Sequence, residues 1–335
     1  LCLRRTLHCT AAVTQARALM IVASLVPAAL QATRRDALGL GLAAAAASSP
    51  LAAAEPSSIT LANGQVFPLA SFGLQFYDDA TAEKLTRLAI EAGFRNFFAS
   101  ALTQNQRGFA RGVKASGIAR DELFICGSVV SNRAADAETA YKQAAAGCAA
   151  NLDAFAAGGI ERLDMLMLVP QRRDTWPVEI VGAQWRALED FRAHGGAKSL
   201  AVSRLSPAQL DALPSRPVLN YWDYCVGTHD PGVVAANKAR GIHVQAMSPL
   251  GNGKLTRFES DAPEAREVCA AVGARHGKSA CQVALRWVVQ SGASFTVAAR
   301  SAEHFADDLA LFDWRLDDDD MARLGAINKF GAVGL

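Results

Sequence analysis

From Ile59 onward the chain repeats one pattern: a short apolar run, a turn, a longer stretch with helical spacing, then the next apolar run. Eight such runs occur, at residues 69–73, 96–98, 123–127, 162–169, 199–202, 218–221, 243–247 and 294–298. They are apolar at consecutive rather than alternate positions, as parallel strands buried on both faces should be. The stretches between them, such as 80–92, 135–155, 181–194, 231–240 and 279–291, carry apolar residues at helical intervals. In the first, Leu85, Leu88, Ala89 and Ala92 share one face. Eight βα units over roughly 250 residues can close on themselves, which predicts an α/β chain folded as a (β/α)8 TIM barrel. A β-hairpin turning at Asn63-Gly64 is predicted to open the domain at residues 59–68. Residues 262–276 and 317–328 predict two extra C-terminal helices outside the repeat. No low-complexity linker divides the region, so residues 55–330 read as one domain followed by a short tail, 331–335.

Composition narrows the function classes. Of 335 residues, 51% are hydrophobic and 20% charged, enough apolar material for one large core. A net charge of +2 with no basic stripe leaves no electrostatic footprint for nucleic acid. The seven cysteines form no Cys-x-x-Cys pair, and the histidines at 8, 194, 229, 243, 276 and 304 do not cluster, so no metal site is expected.

Residues 1–54 read as a targeting leader. Leu1 to Arg35 contains no acidic residue, and its only charges are Arg4, Arg5, Arg17, Arg34 and Arg35, the composition of a transit peptide. Thr33-Arg34-Arg35-Asp36-Ala37-Leu38 then leads into an Ala/Leu/Gly run and Ala52-Ala53-Ala54, the order of a twin-arginine export signal. Such a two-part leader resembles that of thylakoid-lumen proteins of plastids; a bacterial periplasmic signal with an upstream extension is the alternative. A second apolar piece, Ala18 to Leu30, would suit an endoplasmic-reticulum signal preceding a plastid one. The run from Ala37 to Ala54 is too rich in small residues, and too interrupted by Pro50, for a stable transmembrane segment. Cleavage near Ala54 would leave Cys126, Cys148, Cys225, Cys269 and Cys281, an odd set with at least one free or intermolecular thiol.

Several motifs carry a resemblance. Gly93-Phe94-Arg95-Asn96-Phe97-Phe98-Ala99-Ser100, followed by Ala101-Leu102-Thr103-Gln104-Asn105-Gln106, resembles the second strand of the aldo-keto reductases. There the pattern is Gly-Tyr-Arg-His-Ile-Asp-Thr-Ala, a Tyr five residues after the Asp, then Asn-Glu. Asp121-Glu122-Leu123-Phe124-Ile125 is similar to the family's Glu-Glu-Leu-Phe-Ile, and Arg162-Leu163-Asp164 to its Tyr-Leu-Asp-Leu strand. Ser199-Leu200-Ala201-Val202-Ser203 resembles Arg-Ala-Ile-Gly-Val-Ser, and Ser248-Pro249-Leu250-Gly251 matches Ser-Pro-Leu-Gly. His276-Gly277-Lys278-Ser279, Gln282-Val283-Ala284-Leu285-Arg286-Trp287 and Phe312-Asp313-Trp314 are also close to family signatures. On these motifs, nearly everything after residue 58 is identified as a member of that family.

The resemblance implies hydride transfer from NADPH to a carbonyl, with a Tyr as proton donor, a Lys and an Asp that lower its pKa, and a His that orients the carbonyl. By register, Phe98 stands at the Asp position, Thr103 at the Tyr, Ser128 at the Lys and Val169 at the His. An aliphatic hydroxyl is a far weaker acid than a phenol and needs a strong adjacent base. The nearby phenol, Tyr77, reads as a loop-packing aromatic. The resemblance implies an eroded cofactor seat: Ser203, Asn220, Ser248 and Leu250 fall where the family holds NADPH, Arg204 stands there in place of an Asn, and Arg300 could stand in for one cation. Tyr221 replaces an amide, Met247 the aromatic under the nicotinamide, Ala298-Ala299 and His304 the phosphate grip, and Asp307-Asp308 the adenine contacts.

The expectation is a non-catalytic barrel, a pseudoenzyme that binds NADPH weakly or not at all and acts as a binding or assembly protein. Two alternatives stay open: a divergent NAD(P)H-dependent oxidoreductase acting on a carbonyl compound, and a carrier of an apolar small molecule. The carrier would use an apolar floor of Phe98, Val129, Val130 and Val169. The partner is a protein or an apolar small molecule of unknown identity.

Overall fold

Eight parallel strands pair side by side until the last meets the first. The computed structural model describes residues 56–74, 77–169, 177–251, 258 and 262–329; the leader, residues 1–54, and the tail, 331–335, lie outside them. A hairpin of β1 (Ser58–Thr60) and β2 (Val66–Pro68) comes first. The barrel follows in chain order: β3 (Ala70–Gly73), β4 (Asn96–Phe98), β5 (Phe124–Val130), β6 (Leu163–Val169), β7 (Ala197–Ser203), β8 (Leu219–Asp223), β9 (His243–Met247) and β10 (Ser294–Val297). Closure comes from β10 pairing with β3, with Phe295 opposite Ala70. The predicted barrel is therefore the observed one.

Helices cover the outside: α1 (Asp79–Ala92), α2 (Gln106–Ser116), α3 (Ala137–Phe155), α4 (Val178–Ala193), α5 (Pro207–Asp211), α6 (Val233–Lys238), α7 (Glu264–His276), α8 (Ala280–Gln290), α9 (Ala302–Leu309) and α10 (Asp318–Gly325). Their ends are written locally. Asp78 caps α1 by accepting from the Thr81 amide at 2.7 Å, and Gly93 ends it in the left-handed region at φ 109°, where L side chains are disfavoured. Ser279 and Gln282 close a reciprocal capping box on α8. No described helix is long and apolar enough to cross a membrane.

Each strand feeds two cores. Outward residues such as Phe72, Phe97, Leu166 and Leu168 pack under the helices, while Phe98, Phe124, Cys126, Met165, Met167, Val169, Ala201, Leu219, Tyr221 and Met247 fill the interior. This two-sided burial is why the strands lack alternation. The hairpin plugs the amino-terminal end, where the Phe67 ring meets Phe124 edge-on at 4.9 Å and His243 at 5.9 Å. Beside it, the buried Asp164 carboxylate accepts from the Ile125 amide and pairs with Arg120 and Lys198 at 2.7 and 2.8 Å. The opposite, carboxyl-terminal end is the mouth, where barrel chemistry sits.

Three expectations need correction. The strand expected at 123–127 extends to Val130, because Ser128, Val129 and Val130 go on pairing with Met167, Leu168 and Val169. The helix expected over 317–328 ends at Gly325, and Asn328 instead bridges to Gly227. The hairpin turn spans five residues rather than two, with Gly64 donating to the Leu61 carbonyl at 2.8 Å.

Candidate functional site

The four positions at the mouth that resemble the family's catalytic set serve structural ends. Phe98 points inward from β4, 2% exposed, with its ring 5.3 Å from that of Tyr221 in an edge-on contact. Val169 ends β6, buried, opposite Val130. Ser128 is fully buried inside β5; its Oγ accepts from the Ala101 amide at 3.0 Å and lies 3.3 Å from Ser100 Oγ. The hydroxyl thus pins the loop that leaves β4. Thr103 sits in that same loop, its Oγ1 3.0 Å from both the Ser100 carbonyl and Asn105 Oδ1.

Asn105 and Gln106, the best-kept part of the motif, hold the loops together. Asn105 Nδ2 donates to the carbonyls of Leu74 and Tyr77, joining the loops after β3 and β4. Gln106 Nε2 donates to Asn151 Oδ1 at 2.8 Å, and Asn151 Nδ2 donates to the Ser128 carbonyl at 2.8 Å. Asn151 reaches the strand because Gly127 has no side chain: a Cβ there would lie 2.7 Å from Asn151 Oδ1 and 2.9 Å from Leu163 Cδ1. Tyr77 donates its phenol proton to the Ala299 carbonyl at 3.1 Å and is buried, the loop-packing role expected of it.

The candidate cofactor residues separate into two groups. Ser203 faces the interior from β7, fully buried, and its Oγ has no hydrogen-bond partner among the described residues. Arg204 follows it with φ 58°, a left-handed conformation costly for a residue with a Cβ. Its guanidinium forks onto Asp223 at 2.9 and 3.3 Å and touches Met247 Sδ at 3.3 Å. These three side chains join the carboxyl ends of the neighbouring strands β7, β8 and β9 along one side of the rim.

The others point elsewhere. Asn220 was expected at a ligand, but period-2 alternation turns it outward, where Nδ2 donates to the Leu205 carbonyl at 2.8 Å and Asn237 Oδ1 at 3.1 Å. Ser248, at φ 50°, and Gly251 close a tight turn with a 2.8 Å hydrogen bond, and Leu250 packs into the outer core. Arg300 is exposed, its guanidinium carbon 5.4 Å from the centre of the Tyr77 ring. Of the expected apolar floor, Val129 faces outward into the helix layer, where a Cβ on Gly147 of α3 would come within 2.9 Å of it. Val130 shares the inward-facing side with Val169.

One mouth residue went unread in the sequence, and another was read without its place in the interior. Asp223 carried no signal, since its partner Arg204 lies on another strand end. Tyr221 fits only as a replaced amide, yet it places a phenol inside the barrel, 2% exposed, with its pKa pushed up by burial. Four cysteines, Cys126, Cys148, Cys225 and Cys269, are buried thiols, and burial raises those of Cys148 and Cys269 to about 12. Among the described residues, no group of three or more His, Cys, Asp or Glu side chains could hold a metal.

Comparison with known proteins places this architecture. The aldo/keto reductase family profile matches residues 67–329, most of the chain. The chain belongs to the aldo/keto reductase family. A glyoxal reductase of Bacillus subtilis is 27% identical over 283 residues, covering 83% of this chain and 95% of its own. An aldo-keto reductase of Mycobacterium avium is 27% identical over 278 residues, covering 81% of this chain and 90% of its own. Among solved structures, an aldo/keto reductase from Brucella melitensis superposes with a TM-score of 0.71 at 20% identity, over 82% of this chain and 99% of its own. The aldo/keto reductase barrel is thus shared along its whole length; the family generally uses NAD(P)H.

Proposed function

We propose that the chain is a non-catalytic member of the family, a binding or assembly protein that retains the barrel without the carbonyl reduction. The observation that carries this reading is the use of the mouth hydroxyls. Ser128 Oγ accepts from the Ala101 amide and Thr103 Oγ1 lies between two acceptors, so among the described residues neither is paired with a base that would make it a proton donor. Phe98 and Val169 add apolar surface where the resemblance calls for a carboxylate and an imidazole. The residues near the expected cofactor seat fit a nicotinamide poorly: Asn220 faces outward, and the Arg204–Asp223 pair lies against Met247. These residues do not fit NADPH as a hydride donor at this mouth.

The test is a turnover assay with NADPH and a panel of aldehydes, ketones and quinones, together with calorimetric titration of NADPH. We expect no turnover and a dissociation constant weaker than micromolar. Loss of two charge-assisted contacts of roughly 1.5–3 kcal/mol each corresponds to about two to four orders of magnitude in affinity. Micromolar binding, or a rate abolished by Thr103→Ala or Tyr221→Phe, would overturn the proposal.

A second reading, a divergent NAD(P)H-dependent oxidoreductase, is favoured by the Tyr221 phenol and by relatives named as reductases over most of their length. The same Tyr221→Phe variant separates the two. Carriage of an apolar small molecule has less support, since the Phe98 ring is packed on Tyr221 rather than facing open space.

A further inference from the structure

The hairpin that plugs the barrel turns through an exposed Asn-Gly pair. Ala62, Asn63 and Gly64 face solvent, whereas Leu61 on one side and Phe67 on the other are buried in the interior core. Gly64 takes φ 84°, and a Cβ built on it would meet nothing within 4 Å, so the turn is open on that side.

The Asn63 side chain is held by Gln65. Its Nδ2 donates to Gln65 Oε1 at 2.6 Å, and its Oδ1 accepts from the Gln65 amide at 3.3 Å. Gln65 is itself tied down, its Nε2 donating to the Asp164 carbonyl at 3.4 Å. A side-chain carbonyl that accepts a backbone N–H is polarised toward attack, because the same donor stabilises the oxyanion that attack creates. The nucleophile next to it along the chain is the Gly64 nitrogen, and glycine has no side chain to obstruct a close approach. The Gly64 amide gives its proton to the Leu61 carbonyl at 2.8 Å, so attack waits on the opening of that bond. Exposed turns open at the lowest free energies in a fold, so the bond slows the step without barring it.

We propose that Asn63 is a site of spontaneous deamidation, and that its isoaspartyl product loosens the plug at the amino-terminal end of the barrel. Gly64 gives its amide proton to hydroxide, and its nitrogen bonds to Asn63 Cγ. The Cγ–Nδ2 bond then breaks, and the amide nitrogen leaves as ammonia with a proton from water. Water adds to the cyclic imide and opens it on either side, giving an aspartyl or an isoaspartyl residue. Net, the side-chain amide and a water become a carboxylic acid and ammonia, with no change of redox state. The isoaspartyl form routes the main chain through the former side chain and lengthens it by a methylene group. The turn is closed by the Leu61 amide on the Gln65 carbonyl at 2.9 Å and by the Gly64 amide on the Leu61 carbonyl. A longer main chain breaks that register, and Phe67 loses its fixed place against Phe124 and His243. This holds whether or not the barrel reduces a substrate.

The test is ageing of the full chain at mildly alkaline pH and body temperature, followed by peptide mapping and amide hydrogen exchange. Mapping separates Asn63 from Asn252, the other Asn that precedes a Gly, which lies outside the described residues. Folded protein should accumulate the acid at Asn63 at a rate that rises with hydroxide, and Asn63→Gln should lose that product. Exchange in residues 58–68 should be about tenfold faster in aged than in fresh protein, the effect of losing a hydrogen bond or two. Exchange in β6 and β7 should not change. Asn63→Asp, measured fresh, adds the charge without the longer main chain and should exchange like the fresh parent. Absence of the acid at Asn63, its formation only in urea, or its formation without faster exchange in the hairpin would overturn the proposal. So would an Asn63→Asp variant as loose as the aged protein, since charge alone would then explain the effect.

Discussion

His243 faces the plug of the barrel and is held neutral by its neighbours. Its Nε2 lies 2.9 Å from Ser294 Oγ and accepts from the Ser294 amide at 3.2 Å, a bond that needs the unprotonated nitrogen. Burial pushes its pKa down to about 4. A histidine whose folded pKa lies below its unfolded value binds fewer protons when folded, so stability is full above about pH 6.5 and is lost as pH falls toward 4. The loss should reach on the order of 3 kcal/mol. Urea unfolding between pH 7.5 and 4 should show that slope, and His243→Gln should flatten it; an unchanged slope would refute the assignment. Residue identity alone did not reveal this, nor the outward turn of Asn220, because both depend on which face of a strand a side chain occupies. That Phe98, Thr103, Ser128 and Val169 stand in for the family's Asp, Tyr, Lys and His is part of the proposal; the residue types themselves were legible in the sequence. The uses to which Ser128 and Thr103 are put were not, as their partners lie on other elements.

At the scale of elements, the strands were easier to read than their ends. Ser128 interrupted the apolar run of β5, so its last three residues looked like loop; the strand continues because backbone pairing with β6 is indifferent to the side chain. Likewise α10 ends at Gly325, short of the apolar pattern that Ile327 extends, because the chain there bonds to Gly227 instead. The seam between β5 and α3 gives a sharp prediction. Gly127 leaves no room for a methyl group beside Asn151 and Leu163, so Gly127→Ala should cost about 1–3 kcal/mol through overpacking. It should also loosen the loop that Ser128 pins. Denaturant midpoints check the first effect and proteolysis of residues 99–104 the second; a variant as stable as the parent would show that α3 can shift without penalty.

For the whole molecule, the barrel was legible because eight repeats of one pattern leave few other ways to close a core. Targeting lies outside the described residues. We propose, on its arginine and alanine pattern, that residues 1–54 direct the protein to a thylakoid lumen, or in a bacterium to the periplasm, with cleavage near Glu55. Replacing Arg34 and Arg35 by Lys should leave an incompletely processed form on an immunoblot; normal maturation would sink the twin-arginine assignment. One consequence follows from the pairing of Phe295 with Ala70. While the chain is being synthesised, β3 can find β4 early, but its other edge has no rightful neighbour until nearly the whole domain has been translated. A bare apolar strand edge recruits wrong partners. Yield of this protein should therefore depend on how long the ribosome takes between those two strands, and on what shelters the open edge meanwhile.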